Sequence, residues 1–195
     1  MIYPVFGNLS EKEKGYELGL FIGDGYLYYN KNDRHYSVEF YLNSLKDLDI
    51  QAQLIHILTK LGFIPGVFKD PRFNANRIRV HSKLFLAFIK EQLEKFKLHS
   101  THLRRSFRLD FLLGVISGFI DAEGHLAHGT IFIAQKDGAI MRAMQSICEI
   151  LNIKCAIWET RNTPSGYIWR GRISTSFKYL PHNSKKVERV YGCSP

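Results

Sequence analysis

Cysteine is scarce in this chain: Cys148, Cys155 and Cys193 make three, an odd number with no short paired spacing. That excludes a disulfide framework and a zinc knuckle and points to a reducing compartment. Long apolar runs are lacking too. None reaches the roughly 18 residues that a membrane-spanning helix requires, and residues 1–20 show no basic start followed by an apolar stretch. The expected setting is intracellular without a targeting signal, in the cytoplasm of a prokaryote or within an organelle, away from membranes. Acidic residues are the third shortage. Asp and Glu number 18 against 27 Lys and Arg, a net charge of +9, which favours a polyanion and makes nucleic acid the first partner to consider. With 45% apolar and 23% charged residues, the 195-residue chain can bury a sizeable core and is neither disordered nor collagen-like.

What the sequence does have is an internal repeat. Gly15, Gly19, Gly23, Asp24 and Gly25 recur 99 positions later as Gly114, Gly118, Ala122, Glu123 and Gly124, so small residues and one acid keep their register. Lys46-Asp47 with Ile50, Leu54, Ile57 and Leu61 recurs 90 positions later as Lys136-Asp137 with Ile140, Met144, Ile147 and Leu151. The second copy is nine residues shorter between these blocks, where Tyr26 to Tyr41 is matched by the briefer His125 to Ala134, a change of hairpin length. Each half then reads in one order. An amphipathic helix ends at the acid and its glycine, and Ser10 with Glu13 supplies a capping box at the first helix start. Period-2 stretches follow, with Val38, Phe40 and Leu42 alternating against Ser37, Glu39 and Tyr41. Next come a helix over 46–62, a second strand pair, and a helix over 82–96 with Leu84, Phe85, Phe88, Ile89 and Leu93 inward. In that second pair Ile78 and Val80 alternate with Arg77, Arg79 and His81, while Tyr167, Trp169 and Ile173 alternate with Ile168, Arg170 and Arg172. The halves are expected over 1–98 and 110–195, joined by the basic linker 99–109.

The glycine rows need an offset, because each helical glycine costs about 1 kcal/mol relative to alanine. Residues four apart share a helical face, so Gly15, Gly19 and Gly23 form one smooth groove and Gly114, Gly118 and Ala122 another. Their matched register favours packing against each other over packing within each half. If the two helices lie side by side and parallel, Asp24 and Glu123 meet at one end. Helix C-termini carry partial negative charge, so two carboxylates there are repelled twice over; either both are solvated helix ends or a cation resolves the conflict. Mg²⁺ suits such a site, with carbonyls near Gly23 and Ala122 as further ligands. Two carboxylates leave coordination positions for water and phosphate, as phosphoryl chemistry requires.

At these residues the sequence resembles the LAGLIDADG homing endonucleases, specifically the single-chain, two-motif members. The first motif runs Glu17-Leu18-Gly19-Leu20-Phe21-Ile22-Gly23-Asp24-Gly25 and the second Ile116-Ser117-Gly118-Phe119-Ile120-Asp121-Ala122-Glu123-Gly124. The resemblance covers nearly the whole chain. It implies an α+β fold of two pseudo-twofold-related αββαββα units, motif helices at the centre and two antiparallel sheets forming a saddle over DNA. It implies an intron-encoded, monomeric, Mg²⁺-dependent endonuclease, with Mn²⁺ as a substitute. Such an enzyme cuts both strands of double-stranded DNA at a long, asymmetric site and leaves short 3′ overhangs. Asp24 and Glu123 would be the catalytic metal ligands, and Lys46, Gln135 and Lys136 occupy positions where the family surrounds the attacking water with polar and basic groups. The first motif departs from the family pattern at Ile22, where Asp is common; the second keeps Asp121. Asp121 points about 200° away from the acid two residues later, so a structural hydrogen bond or cap is its expected role.

Strand residues opposite the apolar face are expected to meet the DNA: Ser37, Glu39, Tyr41, Arg77, Arg79, His81, Thr130, Phe132, Arg170 and Arg172. Tyr28, Asn30, Lys31, Arg34, Lys69, Arg72, Asn74, Asn76, Lys154, Arg161 and Asn162 add hairpin or loop contacts. Arginine reads guanine in the major groove, while other cations neutralise phosphates. For any single arginine a solvated sheet face is the alternative. The competing functions are an intron RNA maturase or a catalytically inactive DNA-binding protein on the same fold, in which the acids are unused.

Overall fold

Ser10 starts the first helix, α1 (Glu11–Asp24): its Oγ accepts the Glu13 backbone N–H, and the Glu13 carboxylate accepts the Ser10 N–H in return. The chain continues through β1 (Gly25–Asn30), β2 (His35–Asn43), α2 (Leu48–Lys60), β3 (Gly66–Asp70), β4 (Ala75–His81) and α3 (Lys83–Leu98). A short helix, α4 (Leu103–Ser106), leads into α5 (Leu109–Glu123). The order then repeats through β5 (His125–Ala127), β6 (Thr130–Gln135), α6 (Gly138–Ile150), β7 (Cys155–Asn162), β8 (Gly166–Ser174) and α7 (Lys185–Tyr191). This is the expected α+β arrangement of two αββαββα units. The computed structural model describes residues 7–70, 74–98, 102–162, 166–174 and 184–191.

Each unit folds one antiparallel four-stranded sheet, β1-β2-β4-β3 in the first and β5-β6-β8-β7 in the second. The nine-residue difference between the copies is a hairpin difference, since β1 and β2 pair over six positions and β5 and β6 over three. Strand alternation sends Val38, Phe40, Leu42, Ile78 and Val80 into the first core and Ile131, Ile133 and Ile173 into the second. Helix α3 begins with Ser82 Oγ accepting the Phe85 N–H, and it buries Phe85 and Ile89. Leu84, expected inward, is exposed, because it lies about 100° round the helix from Phe85, off the stripe that Phe85 and Ile89 bury.

The two cores are stitched together by α1. Its Tyr16, Leu20 and Phe21 pack into the first core, and its Leu18 and Ile22 pack into the second. A helix can serve two cores this way only if a third face lies directly against its neighbour, and the glycines supply that face. A methyl group on Gly15 would sit 2.0 Å from the Phe111 carbonyl oxygen, and one on Gly19 2.1 Å from that of Val115. Reciprocally, Gly114 and Gly118 leave only 2.2 and 2.1 Å to the carbonyl oxygens of Lys12 and Tyr16. The backbones of α1 and α5 touch, and the rows pack on each other. Their crossing sets the end-to-end register, and with it where the two acids lie.

Candidate active site and nucleic-acid face

Asp24 and Glu123 are the last residues of α1 and α5, and neither helix has a basic residue in its last turn. The pair is held together by the far end of the same helix contact. A Cβ on Gly23 would stand 2.3 Å from Ala122 Cβ and 3.0 Å from Glu123 Cγ, so only glycine lets the two ends approach this closely. Burial pushes the Asp24 carboxyl up to about 6, with Asp47 adding to the shift and Lys186 opposing it. Burial likewise lifts Glu123 to about 7, reinforced by the Asp24 charge and again opposed by Lys186. Two buried carboxyls at adjoining negative helix ends, the Asp24 charge raising Glu123, are a standing demand for a cation. The donor set fits a hard divalent ion, being all oxygen and poor in side-chain ligands. Among the described residues no cluster of three or more His, Cys, Asp or Glu side chains exists, so these two carboxylates would bind an ion with coordination positions left over.

Of the residues expected around the acids, Gln135 is there: its Nε2 lies 3.5 Å from Glu123 Oε1 and 3.5 Å from the Ile22 carbonyl oxygen. Lys46 lines a cavity beside the site together with Asn43, Asp47, Gly124, His125, Leu126, Lys186 and Arg189. Lys136 is exposed, and its backbone N–H is held by Gln135 Oε1. The Ala122 carbonyl, expected as a metal ligand, accepts the Lys186 ammonium at 2.9 Å, and the same Nζ donates to the Gly124 carbonyl at 3.1 Å.

Lys186 was invisible to motif reading, and Asp121 explains how it arrives. Asp121 is fully buried and takes four hydrogen bonds: Tyr16 Oη at 2.7 Å, Ser184 Oγ at 2.8 Å, and the backbone N–H groups of Lys185 and Lys186 at 2.9 Å each. It therefore caps α7 and ties it to both motif helices, which is the structural role its direction on the helix suggested. A buried acid in a motif helix needs donors, and the following sequence offers Ser184 at the head of a basic segment. That is the one signal that could have led to Lys186.

The sheets present one face each away from the helices. On the first, Tyr28 pairs with Ser37, Ser37 with His81, Glu39 with Arg79 and Tyr41 with Arg77. On the second, Thr130, Phe132, Arg170 and Arg172 share a face through the pairs Phe132–Arg172 and Thr130–Ser174 and the Arg170–Ala134 neighbour. Within this surface Ser37 and Glu39 are buried rather than open. Glu39 accepts from Ser37 Oγ at 3.1 Å and Tyr41 Oη at 2.7 Å. It also pairs with Arg77 at 3.9 Å and with Arg79, whose Nε lies 2.6 Å away although its N–H does not point along the contact. Burial would raise this carboxyl, but Tyr41, Arg79, Ser37 and Arg77 together hold it below the usual range, so it stays charged. Both guanidinium groups lie over the exposed Phe68 ring, at 5.4 and 5.5 Å.

Asn76 is turned to the other side of the sheet, where its Nδ2 donates to Gln51 Oε1 of α2 at 2.8 Å; Lys69, its cross-strand partner, is exposed. Asn30 shapes the β1–β2 turn through Asp33 and the Asn32 N–H, beside exposed Lys31 and Arg34. Asn74 is exposed at the β3–β4 turn, and Lys154 and Arg161 are exposed on or beside β7. Asn162 closes the β7–β8 pairing opposite Gly166, and Arg72 lies outside the described residues. Among the described residues no helix is long and apolar enough to cross a membrane.

Comparison with known proteins places these features. Residues 110–186 match the LAGLIDADG-like domain family. No curated protein matches the sequence. Mesophilic variants of the homing endonuclease I-DmoI superpose with a TM-score of 0.70 at 21% identity, covering 89% of this chain and 95% of theirs. I-DmoI in complex with DNA and Ca gives 0.69 at 21% identity, over 88% of each chain. The N-terminal LAGLIDADG domain of DUF199/WhiA gives 0.56 at 14% identity, over 88% of this chain and 79% of that one. The similarity extends over both halves and fixes the fold.

Proposed function

We propose that this LAGLIDADG chain, whose second half matches the family's domain and whose two halves share its fold, is a monomeric, site-specific endonuclease of double-stranded DNA. The observation that carries the reading is the approach of Asp24 and Glu123 where the Gly23–Ala122 contact brings both helix ends together. Asp24, Glu123 and the Gly23 and Ala122 carbonyls would hold Mg²⁺, or Mn²⁺ in its place. When bound, such an ion supplies Lewis-acid activation of water and neutralises the charge that builds at phosphorus and on the leaving oxygen. Gln135 orients groups at Glu123 by its amide. The two sheet faces form one basic saddle for the duplex, with Arg77, Arg79, Arg170 and Arg172 reading bases or phosphates and Glu39 fixing the first two in place. The substrate is a long asymmetric site, because the two faces differ in sequence, and cutting across the minor groove leaves short 3′ overhangs. The units 1–98 and 110–195 each contribute one acid and one sheet.

The test is cleavage and binding of a target cloned from the rejoined flanks of the intron that carries the reading frame. Asp24→Asn and Glu123→Gln should each lower cleavage by at least about a thousandfold, the scale of losing transition-state charge stabilisation. Duplex affinity should hold or rise, because a charge that repels phosphate has gone. Wild-type cleavage rates in both variants would overturn the nuclease reading. Tight binding of intron RNA with no duplex binding would replace it with a maturase.

A further inference from the structure

The segment 184–191 is not part of either motif, yet it closes a loop of contacts around Glu123. The Lys186 backbone N–H is bonded to Asp121, two residues before Glu123, and the Lys186 side chain returns to the carbonyls of Ala122 and Gly124, the residues on either side of it. Ser184 and the Lys185 N–H fix the same turn to Asp121. The ammonium is therefore positioned by the backbone rather than left to sample its rotamers. Among the described residues no lysine or arginine side chain bonds the carbonyls of Gly23 or Gly25 in the first half, so the two helix ends are chemically unequal.

We infer that Lys186 is a resident cation of the active site that competes with a divalent ion for the Ala122 carbonyl and the Glu123 carboxylate. This rests on the metal site proposed above. The reasoning is electrostatic and steric together. One carbonyl oxygen at a buried helix end is shared poorly between an ammonium already at hydrogen-bond distance and a doubly charged ion, and the two cations repel. The lysine thus supplies the compensating charge that two converging carboxylates require while metal is absent. It makes metal entry costly until a polyanion over the saddle offers the displaced ammonium new partners. Free protein should hold metal weakly, and DNA should strengthen the hold.

Mn²⁺ titration by calorimetry, with the full chain, without DNA, at low ionic strength and about pH 8, tests this. Lys186→Met should bind Mn²⁺ at least about tenfold more tightly than wild type. Lys186→Gln, which keeps an N–H donor for the carbonyls but no charge, should do the same, and it covers the case in which the methionine variant fails to fold. A lysine with only a structural role would weaken metal binding when removed, so the direction of the change is the discriminating readout. Unchanged or weaker Mn²⁺ affinity in both variants would overturn the inference. A double variant, Asp24→Asn with Glu123→Gln, separates the two levels. If it lowers Mn²⁺ affinity while the Lys186 variants do not raise it, the inference alone fails. If it leaves Mn²⁺ affinity unchanged, the metal site itself fails.

Discussion

The two motif helices differ in a reciprocal way. The first begins its motif with an acid, Glu17, where the second has Ile116; the second carries an acid late, Asp121, where the first has Ile22. All four side chains are buried, yet the acids fare differently. Asp121 has four donors around it and caps a helix. Glu17 Oε1 is buried with no hydrogen-bond partner among the described residues, and burial drives the Glu17 carboxyl up to about 8. The same kind of residue, moved along the same helix type, is a structural keystone in one half and a source of instability in the other. What matters is whether the surrounding chain provides donors: the start of α7 does so for Asp121, while α3, which packs beside α1 in the first half, offers none to Glu17 Oε1.

The largest effect should come from what the halves share. Gly19→Val and Gly118→Val each force a side chain into a carbonyl about 2.1 Å from where its Cβ would stand, with no flexible neighbour to yield. Each should cost more than about 4 kcal/mol and prevent folding at ordinary temperature, read as loss of a cooperative melt. If either variant folds normally, the helix contact is looser than described. A step smaller is Asp121→Ile, which makes the second motif copy the first. It removes the α7 cap and strands the Tyr16 hydroxyl, so urea unfolding should report a loss of about 3–5 kcal/mol.

The opposite exchange, Glu17→Ile, should stabilise. With its carboxyl at about 8 in the fold against 4.5 as the ordinary value, Glu17 holds a proton in the folded state that it loses on unfolding. The folded chain therefore binds more protons across that interval, and stability falls as pH rises from about 4.5 to 8. At pH 7 the contribution amounts to roughly 2–4 kcal/mol, which Glu17→Ile should recover. The readout is the melting temperature measured against pH: the variant should lie above wild type, with a shallower decline across this window. Asp24 and Glu123 leave a residual decline up to about 7, for the same reason of sign. Equal slopes in the two proteins would mean that Glu17 is ionised in the fold.

Much of this architecture can be read from residue spacing. The glycine rows gave both the helix contact and the meeting of the acids, because a backbone-to-backbone approach has few other causes. Strand alternation fixed the two sheet faces, since pairing partners must share a side. Its limits appear at Glu39 and Asn76. Alternation says which side a residue takes, not that flanking arginines will bury Glu39 or that Gln51 will claim Asn76 from the helical layer. Lys186 stands 63 residues after Glu123 in sequence, outside both repeat blocks, and only the tertiary cap at Asp121 brings it back. Local patterns carry no trace of such a return.

The repeated Lys-Asp before α2 and α6 is the last place to set the halves against each other. In the second, Asp137 caps its helix in the ordinary manner, accepting the Ala139 N–H at 2.9 Å and the Ile140 N–H at 3.4 Å. In the first, Asp47 makes no such cap. It accepts the Asn43 N–H at 3.1 Å and pairs with Arg189 of α7 at 3.5 Å, while Asp49 takes a two-pronged contact from the same guanidinium. The first half has exchanged a local cap for a bond to the other half's last helix. Arg189 is about a third exposed, so the clamp is screened and its worth is small, about 0.5–1 kcal/mol. Arg189→Ala should lower stability by that amount at low ionic strength and by clearly less at 1 M salt, as exposed charge pairs do. Asp137→Ala removes a cap together with one exposed ion pair, to Lys97 at 3.5 Å, and should lower stability by a similar amount that 1 M salt reduces less, because the cap itself is not screened. Equal salt sensitivity in the two variants would show that the matching aspartates do the same work after all.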